Sequence, residues 1–408
     1  MTRMFISACG MLLLLQPAFA MTVGEAVETA LKNNSDLQAV RLEQGAAQGR
    51  LDQAGLWLRS NPVIEGGLSR KDMVPRGGEK VTNRGFMLSQ EFEIAGQRGL
   101  RVDAARSGID KAAQDVRDRE RVLIAEVKDS FAKALAAKQK VELADEVVRL
   151  QEQLVSSAMV KYQAGEISQL EQNLADVELG KARRERLLAE KERREALLSL
   201  QALLGTQLKS DFPVEGYLPM EAPPVPDREK LRALTASQRP DVLSATAEMT
   251  QARAAMKLAG SSAIPSFTVS GFYNQDDRLN ETGVMLSFPL PLFDRKQADR
   301  KEAAAKAGQA LIKQASLERT VEREIEEAYT NLVSASEEVS LLKKDVLGKA
   351  LENLSLMNMA YQEGKIGFFE VRLAQKDTID ARFAYLESQV RLQLALNALE
   401  KVLGGSLK

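Results

Sequence analysis

The chain has 408 residues, a formal net charge of −1, no histidine and one cysteine, Cys9. So even a charge balance leaves no electrostatic case for nucleic acid, because no basic excess is available to neutralise phosphates. Without histidine the usual zinc, copper and catalytic-triad chemistry is missing, and no Gly-rich phosphate loop stands between a strand and a helix, so no enzyme activity and no cofactor is expected. Length alone allows two to three domains. An apolar fraction of 44% with only 5% aromatic and 28% charged residues favours long solvated helices over compact cores.

Residues 1–20 read as a secretory leader, with Arg3 as the positive start, Met11 to Leu15 as the apolar run and Ala18-Phe19-Ala20 as the cleavage site. The alternative, a membrane anchor, needs about 20 apolar residues, more than this run supplies. Cys9 precedes the apolar run, whereas a lipidated cysteine follows it, so no lipid anchor is expected and the mature chain has no cysteine.

The mature sequence reads as two half-length copies, 21–205 and 227–405, joined by a proline-rich connector at 206–226. In chain order, the first copy has a helical segment at about 23–59, then two alternating segments at about 62–70 and 84–94. A long helical tract follows at about 97–162, then a turn at 162–168 and a return helix at 168–204. The second copy repeats this plan. Its opening helix falls at about 228–263, its alternating segments at 265–274 and 282–290, its long tract at 298–361, its turn at 361–367 and its return helix at 368–403. Matched landmarks keep an offset of 198 to 203: Pro62 and Pro265, Gly85 and Gly283, Tyr162-Gln-Ala-Gly165 and Tyr361-Gln-Glu-Gly364.

The long tracts carry apolar residues at alternating three- and four-residue steps, the pattern of a coiled-coil seam. The seam reads Ile124, Val127, Phe131, Ala134, Val141, Val148 and Val155 in the first copy, interrupted by Lys138. In the second it reads Ile325, Ala328, Leu332, Ala335, Val339, Leu342 and Val346. Neither tract contains proline, so no kink is expected. A long helix of roughly 96 Å matches two shorter helices laid end to end.

The alternating segments are strand-like. Phe86, Leu88 and Phe92 share one face in the first copy, as do Phe267 with Val269, and Val284 with Leu286 and Phe288, in the second. Polar loops, DMVPRGGEKVTN and QDDRLNET, join the segments of each pair. A hairpin covering a soluble core explains such alternation too, but the flanking tracts spend their apolar residues on seams. The other reading sets this apolar face against lipid, since 9 to 11 residues cross a membrane when tilted. Four strands cannot close a pore alone and an open edge cannot stay in lipid, whereas three chains supply twelve strands.

With these features together, the sequence resembles the TolC-like outer-membrane factors along essentially the whole mature chain. QEFEIAGQRGLRVDAA from Gln90 and FPLPLFDRKQADR from Phe288 resemble the CzcC/CusC-like heavy-metal cation efflux branch, although Gln97 stands where lysine is common. The resemblance implies a mainly α fold with a membrane β part: a homotrimer whose twelve strands form an outer-membrane barrel and whose helices form a periplasmic tunnel. It implies a passive exit duct without catalysis, docked to a periplasmic membrane-fusion adaptor. It also implies, as the driving component, an inner-membrane pump of the proton-driven resistance-nodulation-division type.

It further implies that the turns are the tunnel tips. Gly165 and Gly364 suit helix ends and Ser168 suits a helix start, while Gly165, Ser168, Leu170, Gly364, Gly367, Phe368 and Phe369 are the candidate adaptor contacts. Glu370, and Glu171 at the matching position, are candidates for acidic rings at a closed entrance, where like charges repel and attract cations. A solvated helix surface remains open for Glu171. Leu373 stands where related proteins carry a second acidic residue. The rival readings are a soluble periplasmic coiled-coil adaptor, which leaves the strand pairs unexplained, and a duct of the same fold for drugs or other small molecules.

Overall fold

A broken helix opens each half of the chain. The computed structural model describes residues 20–73, 77, 79–206, 212–224, 227–276, 279–363 and 365–405; the leader up to 19 and Gly364 lie outside them. Helices α1 (Val23–Asn33) and α2 (Ser35–Gly55) are separated at Asn34, and α5 (Arg228–Gln238) and α6 (Pro240–Ser261) at Arg239. The single opening helices expected at 23–59 and 228–263 are therefore two each. The causes differ. Asn34 turns out of helical geometry and its Oδ1 accepts the Leu37 N–H at 3.1 Å, capping α2. Arg239 precedes Pro240, whose ring disfavours a helical residue before it.

Each break receives the end of a return helix. Gly205 and Gly404 terminate α4 (Gln169–Leu204) and α9 (Phe368–Leu403) at φ of 65° and 79°. These are left-handed conformations that favour glycine. Asn34 Nδ2 donates to the Leu203 carbonyl at 3.0 Å. Arg239 is buried against Gly404, and its guanidinium reaches Asp241 at 2.8 Å and Glu324 at 2.6 Å. Burial alone would push its pKa down, but the two carboxylates outweigh it and the guanidinium is held above its ordinary value.

Strands β1 (Val63–Met73), β2 (Glu79–Phe92), β3 (Phe267–Asp276) and β4 (Leu279–Ser287) form one antiparallel sheet in that order. The two hairpins thus meet through β2 and β3, and among the described residues β1 and β4 each keep an unpaired edge. The stretches expected as loops continue as paired strand as far as Met73↔Glu79 and Asp276↔Leu279. Their alternating polar residues suit strands that run beyond an apolar layer into water. At the other end the strands stop earlier than expected, at Phe92 and Ser287. Pro289 and Pro291 offer no N–H to a ladder, which ends β4 just before Phe288.

The turn from strand to long helix is built twice in the same way. Gly96 has φ 70° and Lys296 φ 57°. Gln97 Oε1 accepts the Ala95 N–H and Gln297 Oε1 the Arg295 N–H, each at 2.8 Å. Gln97 Nε2 also donates to the Ile264 carbonyl at 3.2 Å, tying this turn to the end of α6. Lys296 pays the left-handed strain that Gly96 avoids. Lys296→Gly should therefore raise stability by about 0.5–1 kcal/mol, and Gly96→Ala should lower it by about 1 kcal/mol. Thermal midpoints of the purified variants check both.

Helix α3 (Gln97–Gln163) is unbroken over 67 residues, about 100 Å. The second long tract is not: α7 (Gln297–Leu341) passes through a π-helical turn, Leu342–Leu347, into α8 (Gly348–Gln362). A π-turn adds a residue without any proline, so the lack of proline did not keep this helix regular. The seams also differ from expectation. Val127, Phe131 and Ala134 are buried, but toward the tip Val141, Val148 and Val155 are only half-buried. There the buried positions are Ala137, Ala144, Gln151 and Ala158, spaced by seven, facing α4, where Ala175, Ala182 and Ala189 are buried. In the second half Ile325, Ala328, Leu332, Ala335 and Val339 are buried, and burial stops at the π-turn, leaving Leu342 and Val346 partly exposed.

Each half has its own core. One joins Ala26, Ala30, Leu123, Val127, Leu200 and Leu204, and the other joins Leu231, Ile325, Leu332, Leu392 and Leu399. The connector does more than link them. Phe212 and Val214 enter the first core, Leu218 packs on Ala132 and Leu135, and Met21 pairs with the connector through Met21 N–H to Pro213 O at 2.8 Å. Alongside, Asn397 Nδ2 of α9 donates to Asp129 Oδ1 of α3 at 2.8 Å.

Burial raises the Asp129 pKa more than the Asn397 bond and the charges of Lys133 and Lys401 lower it. A carboxyl with a raised folded pKa stabilises the fold fully below its unfolded value, about 3.9, and that contribution is lost as pH rises through the folded value. Asp129→Asn keeps an acceptor for Asn397 and removes the loss. The variant should match the parent at pH 3.5 and melt higher at pH 7; a lower midpoint at pH 7 would contradict the sign.

Candidate conduit surface and entrance

The sheet register sorts side chains onto two faces. Phe86 opposes Gly66 and Tyr273, Leu88 opposes Ile64 and Gly271, and Val269 opposes Leu286. Ile64, Leu68, Phe86, Leu88, Phe92, Phe267, Val269, Val284 and Leu286 therefore share one face across all four strands. Phe288 sits one residue beyond β4. At the helix end of the sheet Phe92, Phe267 and Phe288 stack with ring centroids 5.5 Å apart. Much of this face is uncovered: Ile64 is 76% exposed, Leu68 78% and Val284 79%. A continuous exposed apolar surface of this extent marks contact with lipid or another chain.

The opposite face is mostly polar or small. It carries Glu65, Gly67, Ser69, Lys71, Asn83, Gly85, Ser89, Thr268, Ser270, Asn274, Glu281 and Ser287. Ser89 and Ser270 hydrogen-bond at 2.9 Å across β2 and β3, and Lys71 pairs with Asp276 at 2.6 Å.

At the far end the two Tyr-Gln-x-Gly turns close with the same backbone bond, Glu166 N–H to Lys161 O and Lys365 N–H to Ala360 O, each 2.9 Å. Gly165 is left-handed at φ 77°. The turns then diverge. Ser168 caps α4 through a reciprocal box: Glu171 N–H donates to Ser168 Oγ, and Glu171 Oε2 accepts the Ser168 N–H at 2.8 Å and its hydroxyl at 3.0 Å. The Glu171 carboxylate is thereby folded back onto its own helix start. Gly367 offers α9 no side-chain cap, and the exposed Glu370 carboxylate leans over the bare Gly367 Cα. Leu170, Phe369 and Leu373 are exposed.

The tips also touch each other, a contact that repeat matching did not reveal. Lys161 Nζ lies 2.7 Å from the Tyr361 hydroxyl and 4.3 Å from its ring centroid. The matching position in the second copy is Ala360, so this contact exists once and breaks the pseudo-symmetry. Higher up, Arg372 bonds Glu178 at 3.0 Å and Arg382 bonds Glu146 at 2.7 Å, joining the two helical hairpins through exposed or half-exposed ion pairs. Such pairs contribute about 0–1 kcal/mol each.

Among the described residues no group of three or more acidic, histidine or cysteine side chains could hold a metal ion. No described helix is long and apolar enough to cross a membrane.

The model of the outer membrane efflux protein family matches residues 26–206 and 231–405, one match to each half. The cobalt-zinc-cadmium resistance protein CzcC of Cupriavidus metallidurans is 24% identical over 95% of this chain and 91% of its own. The probable outer membrane lipoprotein SilC of Salmonella typhimurium is 23% identical over 94% of this chain and 86% of its own. Among solved structures, a membrane protein of Pseudomonas aeruginosa superposes with a TM-score of 0.81 at 21% identity, covering 94% of this chain and 90% of that one. CusC superposes at 0.80 and 19% identity, covering 94% and 92%. The helical hairpins and four-stranded sheet are thus the TolC-like channel fold.

The chain belongs to the outer membrane efflux protein family. It serves as an outer-membrane efflux duct, with the sheet as its membrane part and the helices as a periplasmic extension. The family is one of export ducts and not a class of enzymes.

Proposed function

We propose that three copies close into a twelve-stranded barrel and conduct heavy-metal cations passively outward. A periplasmic membrane-fusion adaptor and a proton-driven inner-membrane pump of the resistance-nodulation-division type would supply them. The observation that carries this reading is the single sheet with one apolar face and two unpaired edges. Unpaired edge groups in hydrocarbon cost several kcal/mol each, and pairing β4 of one copy with β1 of the next removes the cost. In detergent the mature protein should run as a trimer extracted from outer membranes. A soluble periplasmic monomer would sink the duct and favour the adaptor reading.

The cation reading draws on the names of relatives. CzcC is called a cobalt-zinc-cadmium and NccC of Alcaligenes xylosoxydans a nickel-cobalt-cadmium resistance protein, the latter 25% identical over 64% of this chain. A second reading, export of organic molecules, draws on TtgF of Pseudomonas putida, called a toluene efflux pump outer membrane protein and 24% identical over 93% of this chain. A deletion strain tested for survival in zinc, cobalt and cadmium salts against toluene separates the two. The lack of histidine and of cysteine in the mature chain fits a duct that passes cations without coordinating them.

In this assembly the turns form a six-tipped mouth. Gly165, Ser168, Leu170, Gly364, Gly367, Phe368 and Phe369 are the adaptor contacts, and Glu370 supplies a ring of three carboxylates. Glu171, held in its cap, is the weaker candidate for a second ring. Reversing Glu370 to Lys should lower cation selectivity of the reconstituted channel at low salt more than reversing Glu171. Equal small effects would take both away from the entrance.

A further inference from the structure

The polar face of the sheet carries one aromatic residue, Phe272. Its pairing partners are Met87 on β2 and Gly283 on β4. The ring lies flat over Gly283. A Cβ added at Gly283 would stand 2.6 Å from Phe272 Cζ and 2.8 Å from Cε1, inside any real contact. On the apolar face Phe86 rests on its partner Gly66 in the same manner, at 3.7 Å from the corresponding Cβ position. There an aromatic ring has lipid to meet. On the face that carries Glu65, Ser89, Ser270, Asn274 and Glu281 it does not, and the position calls for another account.

Phe272 is not alone at this level. Met87 stands beside it, and Met285, 51% exposed, lies diagonally across on β4. Glu65, the partner of Met87, shares the Phe272 level, and Val63, Ser89 and Ser270 share the Met285 level. Beyond these the same face carries Gly67, Gly85, Asn274 and Glu281 on one side and Glu91, Thr268 and Ser287 on the other. One sheet thus holds an apolar patch of Met87, Phe272 and Met285 on β2 to β4, in a wall that is otherwise mostly polar or small.

We infer that Phe272, seated on Gly283, is a bore-setting residue of the duct: with its two copies it forms an apolar belt inside the barrel, and Gly283 keeps the rings flat so that the bore stays wide. The inference rests on the duct reading above. Twelve strands about 4.8 Å apart and tilted by about 40° enclose a ring roughly 24 Å across at the backbone. Three phenyl rings standing up from that wall would take a large share of the free width, whereas three lying on glycine take little. The belt also determines what surface a passing molecule meets. A hydrated ion gains nothing from it, while an apolar or amphipathic solute does.

The test uses the full-length protein with a single reporter thiol, Ser287→Cys, on the inward face and on the helix side of the belt. Intact cells receive thiol-reactive polyethylene glycols of graded mass, with a small porin-permeant maleimide as the control for folding and reactivity. Adding Gly283→Ala forces the ring off the wall. It should slow labelling by the larger polymers several-fold and leave the maleimide rate unchanged. Phe272→Ala in that same protein should restore the larger polymers to at least the parent rate, an outcome that mere misfolding by Gly283→Ala would not give. Unchanged polymer rates in correctly labelled Gly283→Ala trimers overturn the belt. If no polymer reaches the thiol even with Phe272→Ala while the maleimide does, the face does not line an outward-open bore, and both the belt and the duct reading fall.

Discussion

Replacing Arg239 by alanine should destabilise the second half of the molecule by about 3 kcal/mol, the largest loss expected from any single charge deletion here. Arg239 is only 3% exposed and bridges Asp241 on α6 to Glu324 on α7. It does so where α5 breaks and α9 ends against it. Deleting it removes one buried cation and leaves two carboxylates facing each other. The loss sits at the low end of the range for broken buried pairs because both carboxylates keep some water and Arg121 stands 3.6 Å from Asp241. Arg239→Lys should recover only part of the loss, since an ammonium cannot present a fork to two carboxylates. Denaturant midpoints of the purified protein measure both, and an unchanged midpoint for the alanine variant would remove Arg239 from the framework.

The second large effect is at Gly205. Alanine there meets two penalties. The left-handed φ of 65° costs an alanine about 1–2 kcal/mol. Its Cβ would also stand 2.5 Å from the Asn33 carbonyl oxygen, a backbone atom at the end of α1 that cannot swing aside. Gly404, its counterpart, has the same handedness at φ 79°, but the nearest atoms would be 3.5 Å away. Gly205→Ala should therefore cost at least about 2 kcal/mol more than Gly404→Ala, which pays only the conformational penalty. Equal losses at the two glycines would mean that α4 and the Asn33–Asn34 break do not press together.

The difference between those glycines shows what could be read from sequence and what could not. The duplication was legible because turns and strand starts recur at a nearly fixed offset, and strand alternation put Phe86, Leu88, Val269 and Val284 on one side without any coordinates. Long helices were legible from their charge-rich, proline-free tracts. The helix breaks were missed, although Pro240 marks the one at Arg239 in the sequence. Asn34 stands in a run of cap-forming residues, Asn33-Asn34-Ser35-Asp36, and caps α2 through its Oδ1; the contact of its amide with the Leu203 carbonyl is what no local pattern encodes. The alanine seam toward the tip was missed because alanine reads as weakly apolar, so neighbouring valines drew the stripe. The π-turn at Leu342–Leu347 has no residue signature at all. The Lys161–Tyr361 contact depends on how the two hairpins lie together, which no local pattern encodes. Glu171 could have been assigned to its cap, since Ser-x-x-Glu at a helix start is a capping box, but its match to Glu370 across the repeat drew attention elsewhere.

The bridge between Met21 and Val214 has a consequence for how the protein is made. It joins the start of the described chain to the connector, so the first core cannot close until more than half of the polypeptide has been delivered. Until then α3 and α4 can zip locally as a hairpin, since their contacts are close in sequence and cheap in loop entropy. The apolar hairpin β1–β2 must meanwhile wait for β3, which arrives later still. During export the molecule therefore passes through a stage in which its most water-averse surface is complete on one side and has nothing to pair with.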